Sequence, residues 1–472
     1  MITRRQHLTG LFALAAAPFG SLALAQGKPV QSGEGRAERA VPPTGIGHRI
    51  RHLSYSDIGG RPDSVQVMLN RRHLYVGHMF SNGVTILDAS DPRRVRPVGY
   101  FTAGDQTRTH HLQVAGDLLL LANGANVVAM QSYDNLRSYF ENALADSITN
   151  RKKFRSGLSI HDISRPAEMR EIAFLEMPGL GVNRLWWPGG RYAYVSAHFD
   201  GFTDHVLCVV DLQQITKPEI VSRWWLPGMN RGAGETPTLG PGRRVALHHM
   251  LTTEVPGPAG SLPPNRLRQG SGGQEGGSHV LGFGAWRDGG LTIHDLTDAS
   301  TPRLLSHTNW SPPFPGGTHT ALPLHGRNLV VVADEANAEK CAKGTFHTWI
   351  VDMRVVETPV TIATLPTPRD RDYCATGTFG PHNLHENRPG SFRSEDTIFA
   401  TYNNAGVRVF DIRDAFAPRE IAYWVPPTPK RLIDPRPNVA LAAKSADVYV
   451  STDGLMYVTD WNAGLNVLEY LG

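Results

Sequence analysis

Along most of the chain, apolar and polar residues alternate with a period of two, the pattern of strands with one buried face. One phrase recurs: an alternating strand that closes on Asp, a short polar turn that often holds Pro, and a second apolar strand. The copies are GVTILDASDPRRVRPVGYF from Gly83, GLSIHDISRPAEMREIAFL from Gly157, HVLCVVDLQQITKPEIVSRWWL from His205, GLTIHDLTDASTPRLLSHTNW from Gly290, HTWIVDMRVVETPVTIATL from His347 and GVRVFDIRDAFAPREIAYW from Gly406. A seventh, GLNVLEYLG from Gly464, stops after its first strand. Its missing partner is RIRHLSYSDIGG near the N-terminus, with the strand itself starting at Arg51. A further pair of strands precedes each copy, such as VQVML with HLYVGHM.

This periodicity predicts an all-β chain, a seven-bladed β-propeller closed by pairing of its N- and C-terminal strands. Two insertions break the pattern. Leu136, Tyr139, Phe140 and Leu144 carry helical spacing and predict a short helix over residues 133–153. Residues 256–278, with GSGGQEGGS, predict a flexible loop. The repeat aspartates Asp88, Asp162, Asp211, Asp295, Asp352 and Asp411 are expected to cap turns, not to catalyse.

The N-terminal residues read differently. MITRRQHLTG is followed by LFALAAAPFGSLALA, an apolar run too short and too broken to span a bilayer, ending in an A-x-A cleavage pattern. Thr3, Arg4, Arg5 and Leu8 resemble a twin-arginine export signal. The expected organisation is a signal peptide at 1–25, a linker at 26–49 and the propeller at 50–472. The export machinery would be a partner during translocation, and the product would be periplasmic or secreted. No later run could span a membrane.

Composition narrows the chemistry. A net charge of +4 is too balanced for an electrostatic nucleic-acid binder. With 3 cysteines, Cys208, Cys341 and Cys374, a thiolate zinc cage is excluded, although Cys341 and Cys374 could pair on the rim. GAGETPTLGPG lacks the Lys of a phosphate loop, and no GxSxG is present.

Aligning the start of each innermost strand places His110, His248, His319 and His382 in one column, with Asn183 and Asp63 in two other blades and no clear match near Asp447. Four imidazoles at the channel mouth predict one transition-metal ion, copper or iron preferred and zinc or manganese the other candidates. The alternative is that they bond the turns between blades. Around them, His78, His198 and Asp334 end second strands, and His111, His249 and His385 follow the column histidines as supporting or rim groups. The two-residue period sends His111 and His249 away from the axis. Glu335 and Tyr402 are the candidates for proton transfer, acting on a small-molecule substrate. Trp286 and Trp461 are expected as exposed rim aromatics.

The phrases LTIHDL and VRVFDI resemble the LVIVD-repeat family of secreted bacterial propellers, and more distantly the selenium-binding protein and methanethiol oxidase group. That resemblance implies a propeller with a His-bound metal, here on His110, His248, His319 and His382. The ligand count is also similar to that of the carotenoid-cleaving dioxygenases, propellers with Fe(II) on four histidines. Three functions follow: a metal-dependent oxidoreductase, a metal-assisted lyase or hydrolase, and a non-catalytic protein-interaction propeller.

Overall fold

The computed structural model describes residues 45–127, 154–240, 242–255, 278–436 and 438–472. The export segment, most of the linker, the helix expected at 133–153 and the Gly/Ser loop apart from Ser278 lie outside them. Among the described residues the alternating segments form antiparallel strands. Helix is confined to single 3-10 turns at Pro166–Glu168, Arg231–Ala233, His325–Arg327 and Tyr373–Ala375. No described helix is long and apolar enough to cross a membrane.

The strands group into successive meanders. Ser64–Asn70, His73–His78, Gly83–Asp88 and Arg96–Thr102 make the first unit. Leu112–Ala115, Leu118–Ala125, Gly157–Asp162 and Arg170–Glu176 make the second; Gly181–Trp186, Tyr192–His198, Val206–Asp211 and Glu219–Trp224 make the third. Val245–Val255, His279–Arg287, Leu291–Asp295 and Arg303–Thr308 form the fourth, and Thr318–Leu324, Leu329–Asp334, Thr348–Asp352 and Val360–Thr364 the fifth. The sixth has Thr397–Thr401, Val407–Asp411 and Arg419–Val425, with Leu384 bridged to Ala400 where a first strand would run. In the last, Ser445–Val450, Leu455–Asp460 and Gly464–Tyr470 are completed by Ile50–Ser56, in a register from Ile50 opposite Tyr470 to Ser56 opposite Leu465. First strands of neighbouring units lie side by side: Ser64–Asn70 has Leu112–Ala115 on one flank and Ser445–Val450 on the other.

The expected linker ends earlier than residue 49. Ile46–His48 pairs with Arg419–Val425 as the outer strand of the sixth unit. Gly45 makes this approach possible, because a Cβ there would lie 2.5 Å from the Trp424 ring.

Each repeat aspartate caps its turn. Its Oδ1 accepts from the backbone N–H two residues on, at 3.0 Å for Asp88, 2.9 Å for Asp162, 2.8 Å for Asp211, 3.0 Å for Asp295 and 2.9 Å for both Asp352 and Asp411. These local Asx turns satisfy backbone donors where the chain reverses.

Apolar residues from facing units interleave between the sheets; Val67, Leu74, Val84 and Ile86 of the first unit pack with Leu112, Leu119 and Leu121 of the second. Burying each such side chain contributes about 1.5–3 kcal/mol. Trp286 and Trp461 belong to this interior and are not exposed rim aromatics. Trp286 is fully buried and donates to Thr292 Oγ1 at 2.6 Å, while Trp461 lies under the Lys444 ammonium. The reason is that Trp286 is part of its second strand and packs into the main core, while Trp461, directly after its own second strand, packs against Val65, Met79 and Ala446. Cys341 and Cys374 are joined as a disulfide, and Cys208 is a buried thiol whose burial pushes it up to about 12.

Candidate metal centre

The first strands share an irregularity near their start. The ladder register shifts between Ser64 and Val67, Val182 and Arg184, Val245 and His249, Thr318 and Thr320, and Ser445 and Val448. Such bulges break the two-residue alternation and re-aim side chains. Asn183 and His319 are themselves the residues left out of the ladder. Two consecutive side chains of a strand therefore turn toward the same region, which explains the layout below.

His248, His319 and Glu335 form one compact group, with a ligand atom of each within 4.8 Å of the others. The His248 and His319 rings stack at 3.7 Å, and the His382 ring lies 4.6 Å from that of His319. Nε2 of His382 is 3.6 Å from Glu335 Oε1, and Nε2 of His319 is 3.8 Å from Oε2. The opposite ring nitrogens are anchored. Nδ1 of His248 meets the His319 carbonyl at 2.9 Å, Nδ1 of His319 meets Thr320 Oγ1 at 2.8 Å, and Nδ1 of His382 bonds the Ala446 carbonyl. Burial holds His248 and His319 well below the ordinary imidazole value and takes His382 to about 4, so all are neutral at pH 7. Burial alone would raise the Glu335 carboxyl, but Arg287, ion-paired with it, and His382 outweigh that and hold it below its usual range. Arg287 adopts a φ of 52°, a left-handed conformation that Arg rarely takes.

A second group has the same composition. His111, His249 and Glu386 also bring ligand atoms within 4.8 Å of one another. The two-residue period had sent His111 and His249 away from the axis. Instead their rings lie 5.5 Å apart although they belong to the second and fourth units, because the bulge turns His249 inward beside His248. Arg184 stands between the groups: Nη1 is 3.5 Å from His319 Nε2 and 2.7 Å from Asn383 Oδ1, and Nη2 is 3.7 Å from Glu386.

The remaining expected residues separate. His110 belongs to neither group; its ring lies 6.3 Å from that of His111. His78 bonds Thr85 at 2.8 Å and faces Asp63 at 3.3 Å. His198 accepts from the Leu180 N–H at 3.1 Å. Asp334 accepts from Thr318 and from Trp349, and burial pushes it up to about 7. His385 is occupied at both nitrogens, by the Phe392 carbonyl and the Val450 N–H. Tyr402 is packed against Phe410 in the apolar core, its phenol raised by burial to about 12.

Arg184, Arg287, Asn383 and Glu386 escape a search for histidines alone. One signal was present for two of them: the position after the column reads His111, Arg184, His249, Thr320 and Asn383, polar in every case.

No protein-family model matches the sequence, and no curated protein matches it significantly. Solved structures similar to it include the periplasmic gluconolactonase PpgL of Pseudomonas aeruginosa, at a TM-score of 0.50 and 11% identity, over 84% of this chain and 99% of that one. Another is the Cps50 (Swd1) β-propeller domain of Myceliophteria thermophila, at 0.48 and 12%, over 87% of this chain and 97% of that one. The fold is a β-propeller carrying two His/Glu groups able to hold a metal ion.

Proposed function

We propose that the chain is an exported, closed seven-bladed propeller of the LVIVD-repeat kind that binds one transition-metal ion and acts as an oxidoreductase on a small molecule. The ligands in this reading are His248, His319 and Glu335, with His382 alongside and His110 at the mouth. One observation carries it: three neutral imidazoles gathered at one ionised carboxylate have Nδ1 anchored, and Nε2 of His319 and of His382 faces that carboxylate. Metal-binding histidines are oriented in this way by their other ring nitrogen. Two histidines and one carboxylate with open positions suit iron, which supplies redox chemistry when bound.

The chain's own residues prepare that site. Arg287 keeps Glu335 ionised, Thr320 and the His319 carbonyl set the imidazole planes, and Arg184 would leave His319 Nε2 for Glu386 and Asn383 when an ion enters. A hydrolase or lyase would use the same ligands, and an ion that does not change oxidation state would favour that reading.

Elemental analysis of the full chain, purified without a metal-affinity column, tests the proposal. Near one equivalent of iron or copper is expected in the wild type and in His249→Gln, and almost none in His319→Ala or Glu335→Gln. Wild type that stays metal-free after anaerobic reconstitution with either metal overturns it and leaves a partner-binding propeller.

A further inference from the structure

Buried guanidinium groups need compensating charge. Around the two groups, Arg287 has Glu335, Arg244 has Asp204, and Arg184 and Arg388 share Glu386. Arg108 is different. It is 3% exposed, and among the described residues no carboxylate pairs with it. Its one side-chain bond runs from Nη2 to Asn183 Oδ1 at 2.9 Å, and its buried Nε has no partner.

Asn183 holds in the third unit the place that His248, His319 and His382 hold in theirs, and it keeps 7% exposure. Between Arg108 and His110, Thr109 is tied to the Gly83 carbonyl at 2.8 Å. His110 Nδ1 is a second buried polar atom without a partner. The positive charge of Arg108 acts on His110, and that of Arg184 does too. Near Glu335, whose carboxyl feels its charge, the Lys444 ammonium rests on the Trp461 ring at 3.6 Å and, among the described residues, pairs with no carboxylate.

We propose that Arg108, with His110 and Asn183 beside it, seats the carboxylate of a small organic anion at the mouth of the metal centre. The planar guanidinium edge that includes Nε matches the two oxygens of a carboxylate, and the Asn183 amide and neutral His110 supply further donors. The anion would also offset the excess of positive charge that a metal adds. This names the substrate class of the proposed function and rests on that reading for what lies next to the seat, while the seat itself uses no metal.

Calorimetric titration of the full chain, at constant ionic strength, with sodium lactate, lactamide and inorganic phosphate tests it. It is run on chelator-treated and on metal-loaded protein. Lactate is expected to bind saturably in both, lactamide not at all, and phosphate more weakly than lactate. Arg108→Gln should weaken lactate binding at least about tenfold, and Arg108→Lys less. Lactate should raise the melting temperature of the wild type but not of Arg108→Gln, and Arg108→Gln alone should melt no lower than the wild type. A purely structural arginine would instead melt lower when replaced. Undiminished lactate binding by Arg108→Gln, or tighter binding of phosphate, overturns the inference even if metal loads normally. Arg108-dependent lactate binding by protein that never takes up metal sustains it and removes the metal reading.

Discussion

Two groups made of the same three residue types lie near the centre of this molecule, and their surroundings set them apart. In the first group His248, His319 and Glu335 are 5%, 1% and 4% exposed, and one guanidinium is paired with the carboxylate. In the second, His111, His249 and Glu386 are 1%, 1% and 8% exposed, so burial does not separate the two, but Glu386 faces both Arg184 and Arg388. Both histidines of the Glu386 group bond the backbone of Leu185, at 3.3 Å each. Arg388 then seals the region, bonding the Gln113 side chain, the Val114 carbonyl at 3.1 Å and the Trp187 carbonyl at 3.3 Å. Donor atoms alone do not make a metal site. A cation entering the Glu386 group would meet two guanidinium groups against one carboxylate, whose own affinity for a proton burial has already raised.

The largest expected effect breaks the Glu386 side of this comparison. Arg388→Met leaves Glu386 poorly compensated and strips bonds from three units, so it should destabilise the fold by roughly 3–5 kcal/mol, read by chemical denaturation. The folded fraction should still bind metal; full stability in this variant would deny Arg388 its sealing role.

A smaller effect, on the order of 3 kcal/mol, is expected from pH at His382, beside Glu335. His382 falls from 6.5 to about 4 on folding, because burial disfavours its charged form. Below pH 6.5 the unfolded chain takes up a proton that the folded one refuses, so stability from this group is lost as pH falls through about 4. Denaturation of metal-free wild type and His382→Asn at pH 7 and pH 4.5 should show the wild type losing more on acidification. Equal losses would mean that His382 is not held neutral.

The most delicate test sharpens the Glu335 side. Thr320→Val removes the anchor on His319 Nδ1 without touching Nε2, and should weaken metal binding about 10–100-fold in competition with a chelator. Stability should change little. Unchanged affinity would show that His319 is oriented by its stacking on His248 instead.

Much of the architecture was legible because it is local. Asp88 bonds Ser90, and Asp411 bonds Arg413, each two residues away, so the turn and its flanking strands are written in one short phrase. The column of His248, His319 and His382 was legible for the same reason: one position in a repeated unit is one place in space. Its companion Glu335 was expected as a proton-transfer group, but its ion pair with Arg287 was not foreseen. Glu386 and Arg388 were missed because their partners lie far away in the chain, 273 residues for Glu386 and Gln113 and 320 for Arg388 and Met68.

The sequence by itself determined an all-β repeat with Asp-capped turns and a set of histidines at equivalent positions, since period and turn chemistry act over a few residues. Only the tertiary structure decided which histidines meet. The bulge at the start of the fourth unit's first strand cancels the alternation that period alone predicts, and His249 faces His111, while His110 belongs to neither group. Charge balance likewise emerges only when distant units converge. It gives Glu386 two guanidinium partners and, among the described residues, leaves Arg108 without a carboxylate.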